Sequence, residues 1–482
     1  MRPLYSLALL AAACGSTKHP VLEPPPPPPP AVVAASDPQL VTMVAAFGNK
    51  YTMADQDGDV FARLRIDTRD LPSAERPPLR VVLAMDTSGS MEGEAIDRAR
   101  AAAMSILGEL ENGDELAAVV FHSRTEVLVP MTKVTAANRD DIRAKLEAIQ
   151  ATGTTDMSGG LSAAMAQATA GFDPQHINRI VLLSDGIPND PTPILGQAQA
   201  AASYAIPITT LGMGLEYDET LMGAIAKASG GTFHQIKNND EVIAAFKNEV
   251  LRMKRLVARQ MVLQLQPGPG VTIQGVVGLN PQASGRGVYV TLGDLSQGER
   301  RDVLVKLHVK GHRPDARVEL ADAILTFQDA VQNAGSLSRS LFLSVLATAD
   351  KKKLEEGKDS DVEKAAARAE LSEAVLSAIA FARAGAVDQA RMVLDAAEPR
   401  ARAAFRAGGD ETLGKQLGEL APLRRALPNL APPPPPPVVV AGKPQATPPP
   451  QPRPETPEDA KAVRDAHEEA MKPSQPMPSN AP

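Results

Sequence analysis

Between residues 79 and 255, short apolar segments alternate with segments of helical periodicity, and this alternation constrains the fold more than any other feature. The runs LRVVLAM (79–85) and NRIVLLS (178–184) are nearly continuous in apolar residues, which is typical of strands covered on both faces. The segment at 93–110, GEAIDRARAAAMSILGEL, places its apolar residues on one side of a helix. Strands and helices that alternate in this way predict an α/β domain, doubly wound, with a mostly parallel sheet between helices.

The chain of 482 residues is long enough for further domains, and its pattern changes after residue 255. Short alternating segments such as VTIQGVVG and RDVLVKLHV, separated by turns rich in glycine, predict a β-sandwich over 256–330. Strands in 51–77 are expected to join that sandwich. The segment 331–428 is rich in Ala, Leu, Glu, Lys and Arg with helical spacing, and predicts a helical region.

Prolines cluster near both ends of the chain, which indicates linkers rather than folded domains. We expect a proline-rich tether at 14–50, extended in the polyproline II conformation. We likewise expect a disordered proline-rich tail at 429–482, with a short charged helix in PEDAKAVRDAHEEAMK.

The first residues have the pattern of a secretory signal. Arg2 precedes a short apolar stretch that is too short to span a bilayer permanently, and small residues come directly before Cys14, the single cysteine of the chain. The junction LLAAAC resembles a bacterial lipobox. The resemblance implies a signal peptide at 1–13 and a lipid anchor on Cys14. The chain would then be an exported, membrane-anchored bacterial lipoprotein that faces the periplasm or the cell surface, with the outer membrane as its expected location. An ordinary signal peptide is the alternative.

Composition limits the classes of partner. The formal net charge of −7 argues against a surface for nucleic acid, so we expect no nucleic-acid partner. Aromatic residues make up only 3% of the chain and tryptophan is absent, so the cores must be built from aliphatic side chains.

Polar residues follow two of the apolar strands where each strand ends. Asp86, Ser88 and Ser90 stand at alternate positions in DTSGS, directly after the strand at 79–85. Asp185 ends the later strand and is followed by glycine. Because ligands of open parallel sheets bind beyond the carboxyl ends of the strands, we expect these side chains to lie at one edge.

A polar loop lies between these two strands in the sequence. The segment ATGTTDMSGGL at 151–161 enters a predicted helix and offers Thr154, Thr155 and Asp156. Together with the strand ends, it supplies hydroxyls and carboxylates without sulfur or imidazole. Such oxygen ligands suit Mg²⁺, Mn²⁺ or Ca²⁺, whereas zinc normally takes His or Cys.

The three segments DTSGS, GTTDMSGGL and LLSDG, in this order, resemble the metal-ion-dependent adhesion site of the von Willebrand factor type A family. The resemblance covers residues 78–255. It implies that three hydroxyls contact an Mg²⁺ ion (or Mn²⁺ or Ca²⁺) directly and that two carboxylates act mainly through water. The hydroxyls are those of Ser88, Ser90 and Thr155, and the carboxylates are those of Asp86 and Asp185.

The resemblance implies a binding protein rather than an enzyme. Neutral hydroxyls leave much of the charge of the cation uncompensated, so an acidic side chain of a protein partner can complete the coordination shell. Three alternatives stay open. A metal-assisted hydrolase would need a general base, which the sequence does not nominate. The chain could instead be a regulatory or scaffold subunit of a membrane transporter or channel, or a scaffold whose metal site is vestigial.

Overall fold

The computed structural model of the chain describes residues 39–69, 76–214, 217–236, 239–331, 334–430, 456–472 and 476–478. The predicted signal peptide, Cys14 and most of the predicted tether lie outside the described residues, as does the proline-rich segment 431–455 of the tail. In the described part, no helix is both long enough and apolar enough to cross a membrane.

The described residues form strands and helices whose bounds follow in chain order. The strands are β1 (Val41–Phe47), β2 (Tyr51–Met53), β3 (Gly58–Thr68), β4 (Leu79–Asp86), β5 (Glu115–Phe121), β6 (Thr125–Lys133), β7 (Ile177–Ser184), β8 (Ile208–Met213), β9 (Phe233–Ile236), β10 (Leu256–Pro267), β11 (Val271–Val276), β12 (Gln282–Ser284), β13 (Gly287–Ser296), β14 (Glu299–Val309), β15 (Arg317–Asp329), β16 (Ser336–Thr348) and β17 (Met477–Pro478). The helices are α1 (Glu94–Glu109), α2 (Arg139–Glu147), α3 (Met157–Thr169), α4 (Ile194–Ser203), α5 (Glu219–Ser229), α6 (Asn239–Met253), α7 (Lys351–Glu356), α8 (Ser360–Arg383), α9 (Val387–Gly408), α10 (Glu411–Ala426) and α11 (Pro457–Met471).

The predicted α/β domain is confirmed. Its sheet has the order β6-β5-β4-β7-β8-β9, and every pairing in it is parallel except that of β5 with the edge strand β6. All residues of β4 and β7 are buried, as the continuous apolar runs predicted. Separate apolar cores fill the two faces of the sheet, one shared with α1, α2 and α6 and the other with α3, α4 and α5.

Two further sheets pack face to face around one aliphatic core and form the β-sandwich. One has the order β1-β3-β14-β11, with β17 on β14, and the other the order β12-β13-β10-β15-β16-β2. The sandwich is larger than predicted. Strand β1 lies in the predicted tether and pairs along its whole length with β3.

The segment 331–428 was predicted to be helical, and this is wrong for residues 336–348, which form β16. In SLSRSLFLSVLAT, Leu343, Val345 and Ala347 alternate along the strand and face the sandwich core. The alternation has the period of a strand, whereas the Ala-rich and Leu-rich composition of the surrounding segment favours helix.

The helical region contains α8, α9 and α10, and α11 completes it. The charged helix predicted in the tail is confirmed, but the prediction of a disordered tail is wrong for residues 456–472. Val463, Ala466 and Ala470 of α11 are buried in a core shared with α8, α9 and α10. Thr456 begins the helix with a capping box, in which its hydroxyl and the carboxylate of Asp459 accept each other's backbone N–H groups. Small apolar residues of α11 face this core, and Arg464 and His467 are buried with them, so the helix packs although its composition is polar.

Candidate metal centre

The candidate centre lies at the carboxyl edge of the parallel sheet, where β4 ends in Asp86 and the neighbouring β7 ends in Ser184. Asp86 is fully buried. Its Oδ2 accepts a hydrogen bond of 2.6 Å from the Ser184 hydroxyl, and its Oδ1 accepts one of 2.9 Å from the backbone N–H of Ser88. The carboxylate is therefore fixed in position by both strands.

Burial raises the pKa of Asp86, although hydrogen bonds from Ser184 and Ser88 oppose the shift. A buried carboxylate is costly to keep charged unless a positive charge lies close to it. This is the electrostatic environment in which a cation stabilises the ionised form.

The two serines that follow β4 connect Asp86 to the third loop. The hydroxyl oxygens of Ser88 and Ser90 are 3.0 Å apart, and the Ser90 hydroxyl donates to Oδ1 of Asp185 at 2.7 Å. Ser88 is buried, whereas Ser90 is exposed and Asp185 is half-buried. The row of oxygens therefore runs from the interior to the surface.

Backbone hydrogen bonds hold the second loop against the first. The N–H of Thr152 donates to the carbonyl of Thr87 at 2.7 Å, and the N–H of Gly89 donates to the carbonyl of Gly153 at 2.9 Å. The third loop is attached in the same way, because the N–H of Asn189 donates to the carbonyl of Thr155 at 3.0 Å. Three segments that are distant in sequence are thus fixed to one another by their main chains.

Side-chain oxygens of the first two segments surround one point beside Gly186 of the third. A Cβ atom built on Gly186 would lie 2.9 Å from Oγ1 of Thr155, 3.7 Å from Oγ of Ser90 and 3.8 Å from Oδ2 of Asp86. Glycine at position 186 leaves this space open. The structure therefore brings the five predicted site residues into one cluster.

Two neighbouring residues of the second loop are not part of the cluster. The hydroxyl of Thr154 lies 3.4 Å from that of Ser123 and accepts a hydrogen bond from Asn189. Asp156 caps helix α3, where its carboxylate accepts the N–H of Gly159 at 3.0 Å.

Sequence reasoning missed Ser184. It precedes Asp185 in LLSDG and belongs to the end of a buried strand, which gave it the pattern of an ordinary strand residue. Its role follows from the parallel register, which pairs Met85 with Leu183 and so sets the next residues of both strands side by side. Knowledge of which strands are neighbours would have identified it.

The donor set fits a hard divalent cation, since all its members are hydroxyl or carboxylate oxygens. Among the described residues, no group of three or more His, Cys, Asp or Glu side chains is placed to hold a metal ion. The cluster differs from such sites because most of its donors are neutral hydroxyls.

Residues 81–248 match the family model of the von Willebrand factor type A domain. The chain contains a type A domain. The predicted bounds, 78–255, enclose the matched residues. Type A domains commonly mediate protein–protein interactions, and most proteins that carry them are not enzymes.

Relatives of this chain include two bacterial proteins and an animal one. The uncharacterized protein sll0103 of Synechocystis is 28% identical over 255 residues, covering 50% of this chain and 60% of that protein. The uncharacterized protein YfbK of Escherichia coli is 27% identical, covering 52% of this chain and 45% of that protein. Inter-alpha-trypsin inhibitor heavy chain H1 of Sus scrofa is 24% identical, covering 56% of this chain and 33% of that protein. The chain thus matches less than two thirds of the length of each.

Solved structures support the fold. The von Willebrand factor type A protein from Catenulispora acidiphila has a TM-score of 0.64 at 18% identity and covers 79% of this chain and 91% of its own. The ArnB paralog VWA2 from Sulfolobus acidocaldarius has a TM-score of 0.55 at 16% identity, and the match covers 78% of this chain and 94% of that protein. Each of the two structures covers a larger part of this chain than the type A domain occupies. The structural likeness therefore extends to the segments around the domain.

A cavity of about 540 Å³ adjoins the oxygen cluster of the type A domain. One side is formed by loops of the domain itself, and the other by the end of α8 and the start of α11. Its lining residues are Ser90, Thr155, Gly186, Ile187, Tyr217, Arg383, Thr456, Pro457, Ala460 and Arg464. The sequence did not predict the contribution of the helical region to this face.

Proposed function

We propose that this protein binds a protein partner through a divalent cation held at the carboxyl edge of its type A domain. The observation that carries the proposal is the convergence of three loops, which places oxygens of Asp86, Ser90 and Thr155 within 4 Å of one point beside Gly186. The common role of type A domains in protein–protein interaction supports the same conclusion.

The proposed cation is Mg²⁺, with Mn²⁺ or Ca²⁺ as alternatives. Ser88, Ser90 and Thr155 would hold it directly, and Asp86 and Asp185 would act mainly through water. The cation supplies a focused positive charge that mostly neutral ligands do not cancel. A carboxylate of the partner would complete the shell, so the protein would bind rather than transform its ligand.

We test this function on the purified full-length chain with Ser90→Ala, because Ser90 is exposed and its loss leaves the core intact. Calorimetric titration with MgCl₂ should show binding to the wild-type protein and at least tenfold weaker binding to the variant. Ser203→Ala, which removes an exposed hydroxyl at the end of α4, is the matched control and should bind Mg²⁺ like the wild type.

The partner is tested by crosslinked capture with Mg²⁺ and with EDTA. We expect a captured protein with Mg²⁺ that is lost in EDTA and with Ser90→Ala. Capture that is equal in all three conditions would refute a cation-dependent interaction.

We further propose that Cys14 carries a lipid anchor and holds the exported chain at a bacterial membrane, with the outer membrane as the expected one. The support is the lipobox-like junction LLAAAC after a short apolar stretch. Cys14→Ser should move the protein from the membrane fraction to the soluble fraction. A variant that still sediments with membranes would contradict the anchor.

A further inference from the structure

The cavity beside the candidate metal centre has the size of a ligand site, since such sites typically enclose about 300–1,000 Å³. Ser90 and Thr155 reach it from the oxygen cluster, so a ligand bound in the cavity would lie next to the proposed cation. Ile187 lines the same space and is 62% exposed, which leaves an apolar contact surface at the cavity.

Part of the cavity wall comes from outside the type A domain. Pro457, Ala460 and Arg464 are spaced i, i+3 and i+7, so one face of α11 lines the cavity over two turns. The helix is fixed by its buried side chains, and the ring of His467 packs edge-on against Phe233 of β9 with centroids 5.4 Å apart. The wall is therefore attached both to the helical region and to the type A domain.

The described lining residues include two guanidinium groups and no carboxylate. Arg383, at the end of α8, is positioned by Glu219, whose buried carboxylate accepts a hydrogen bond from Nη2 at 2.7 Å. A guanidinium has five N–H donors, so this bond leaves donors for a ligand. Arg464 is 3% exposed and lies in the wall formed by α11.

Tyr217 also lines the cavity, and its hydroxyl is buried. Its side chain is 2% exposed, and its hydroxyl has no hydrogen-bond partner among the described residues. Burial, and after it the charge of Glu219, raises the pKa of Tyr217, so the hydroxyl stays protonated at neutral pH. A buried donor without a partner is costly and is satisfied when a ligand supplies an acceptor.

We infer that this cavity is an anion subsite that makes the protein selective for a ligand with two nearby carboxylates, such as an acidic segment of a protein. One carboxylate lies at the metal centre, and the second is held by Arg383 and Tyr217 against the wall formed by α11. This inference rests on the proposed function for the first carboxylate, but the subsite itself is built from residues outside the oxygen cluster.

The probe is glutarate, a flexible dicarboxylate, compared with butyrate, which has one carboxylate and a similar length. Calorimetry is carried out on the full-length protein with saturating Mg²⁺. We expect glutarate to bind at least fivefold more tightly than butyrate to the wild type. Equal affinities for the two probes would overturn the subsite.

Ala460→Glu and Ala460→Gln form a matched pair, because the two side chains have almost the same size and differ in charge. Ala460 is half-buried in the cavity wall, so the substitution does not remove core packing. The glutamate variant should bind glutarate at least fivefold more weakly than the glutamine variant. Equal binding by the two would refute a role for the α11 wall in anion recognition.

Tyr217→Phe removes only a hydroxyl that has no hydrogen-bond partner in the described part of the chain, so we expect the fold to be retained and glutarate affinity to fall about threefold to tenfold. Unchanged affinity in this variant would contradict its part in the subsite.

Titration with Mg²⁺ separates this inference from the proposed function. If the wild type does not bind Mg²⁺ but still binds glutarate in a manner that Ala460→Glu weakens, the subsite stands and the proposed cation is refuted. If Mg²⁺ binds normally and the two probes are not distinguished, the proposed function stands and the subsite is refuted.

Discussion

Adjacent residues of one loop can have different functions, and Thr154 and Thr155 show this at the residue scale. Thr155 is 7% exposed and directs Oγ1 to the point shared with Ser90 and Asp86. Thr154 is exposed and has Ser123 and Asn189 as its neighbours. The Thr155 hydroxyl belongs to the oxygen cluster, whereas the Thr154 hydroxyl contacts only neighbouring loop residues.

This difference leads to a paired prediction. Thr155→Val removes a proposed ligand while keeping the shape of the side chain, so Mg²⁺ affinity should fall at least tenfold, or about 1.4 kcal/mol. Thr154→Val should leave the affinity within twofold of the wild type. Both are measured by calorimetric titration with MgCl₂. Similar losses in the two variants would indicate that the loop as a whole, rather than the cluster, binds the ion.

Asp86 is less suitable for such a test. Its replacement by alanine would leave the buried Ser184 hydroxyl and the N–H of Ser88 without their acceptor. Each unsatisfied buried group costs about 1–3 kcal/mol. Loss of metal binding in Asp86→Ala would therefore be combined with a loss of stability.

Gly186→Ala should lower Mg²⁺ affinity at least fivefold. The new Cβ would lie 2.9 Å from Oγ1 of Thr155 and would occupy the space between the three loops. Gly196→Ala is the control, because a Cβ there meets no atom within 4 Å and replaces glycine inside helix α4. It should raise the free energy of unfolding by about 0.5–1 kcal/mol and leave metal affinity unchanged. Equal Mg²⁺ affinities of Gly186→Ala and Gly196→Ala would show that the ion does not bind in the space beside Gly186.

At the scale of elements, α11 joins two parts of the molecule. Its residues Val463, Ala466 and Ala470 contribute to the core of the helical region, whereas Met471 packs into a core of the type A domain. His467 lies on the same helix, is 2% exposed, and would contact any Cβ added to Gly223 of α5. The close approach of α5 and α11 depends on this glycine.

His467 makes the stability of this contact dependent on pH. Burial, with a smaller contribution from Arg383, lowers the pKa of His467 to about 3 from the ordinary value of 6.5. Above pH 6.5 the residue is neutral in both the folded and the unfolded chain, so its contribution to the free energy of unfolding does not change with pH. Below pH 6.5 only the unfolded chain takes up the proton, and the folded state loses stability as the pH falls towards 3.

Between pH 7 and pH 5, the free energy of unfolding of the wild type should fall by up to about 2 kcal/mol more than that of His467→Met. Urea denaturation measures both. Methionine has a similar volume and does not titrate. Parallel pH profiles of the two proteins would contradict burial of a neutral His467. The difference between them, rather than either profile, is the readout, because other groups titrate equally in both.

At the scale of the whole molecule, buried charges join the type A domain to the β-sandwich. Arg179 of β7 contacts Asp294 of β13 at 2.8 Å, and both side chains are almost fully buried. Glu249 of α6 accepts a hydrogen bond from Thr209 at 2.7 Å and lies 3.6 Å from Arg179. Burial raises the pKa of Glu249, but the charges of Arg179 and Arg252 outweigh it and leave the pKa lowered.

Arg179→Ala would leave two buried carboxylates without their main cation, and should destabilise the protein by about 3–5 kcal/mol. Arg143→Ala on α2 removes an exposed ion pair with Asp140 and should change stability by less than about 1 kcal/mol. Urea denaturation followed by circular dichroism measures both. Losses of similar size in the two variants would show that the interface network adds nothing beyond a surface pair.

The sequence predicted the type A domain well because its signals are local. A fully buried parallel strand is a continuous apolar run, and a polar residue directly after that run has to lie at the carboxyl edge. For this reason Asp86 and Asp185 were identified without knowledge of the strand order. Strand β16 was misread because a helix-favouring composition and a strand-like alternation occur in the same segment, and packing against the sandwich core favours the strand.

The sequence alone, through its resemblance to the type A family, named the five residues of the oxygen cluster, because the three segments that carry the resemblance are short local patterns. Only the tertiary structure decided what faces that cluster. Arg383, Tyr217 and Ala460 come from separate elements, and nothing local to any of them indicates the others. Their meeting depends on how α8 and α11 pack against the type A domain, which is set by the complementary shapes of apolar surfaces that are distant in sequence.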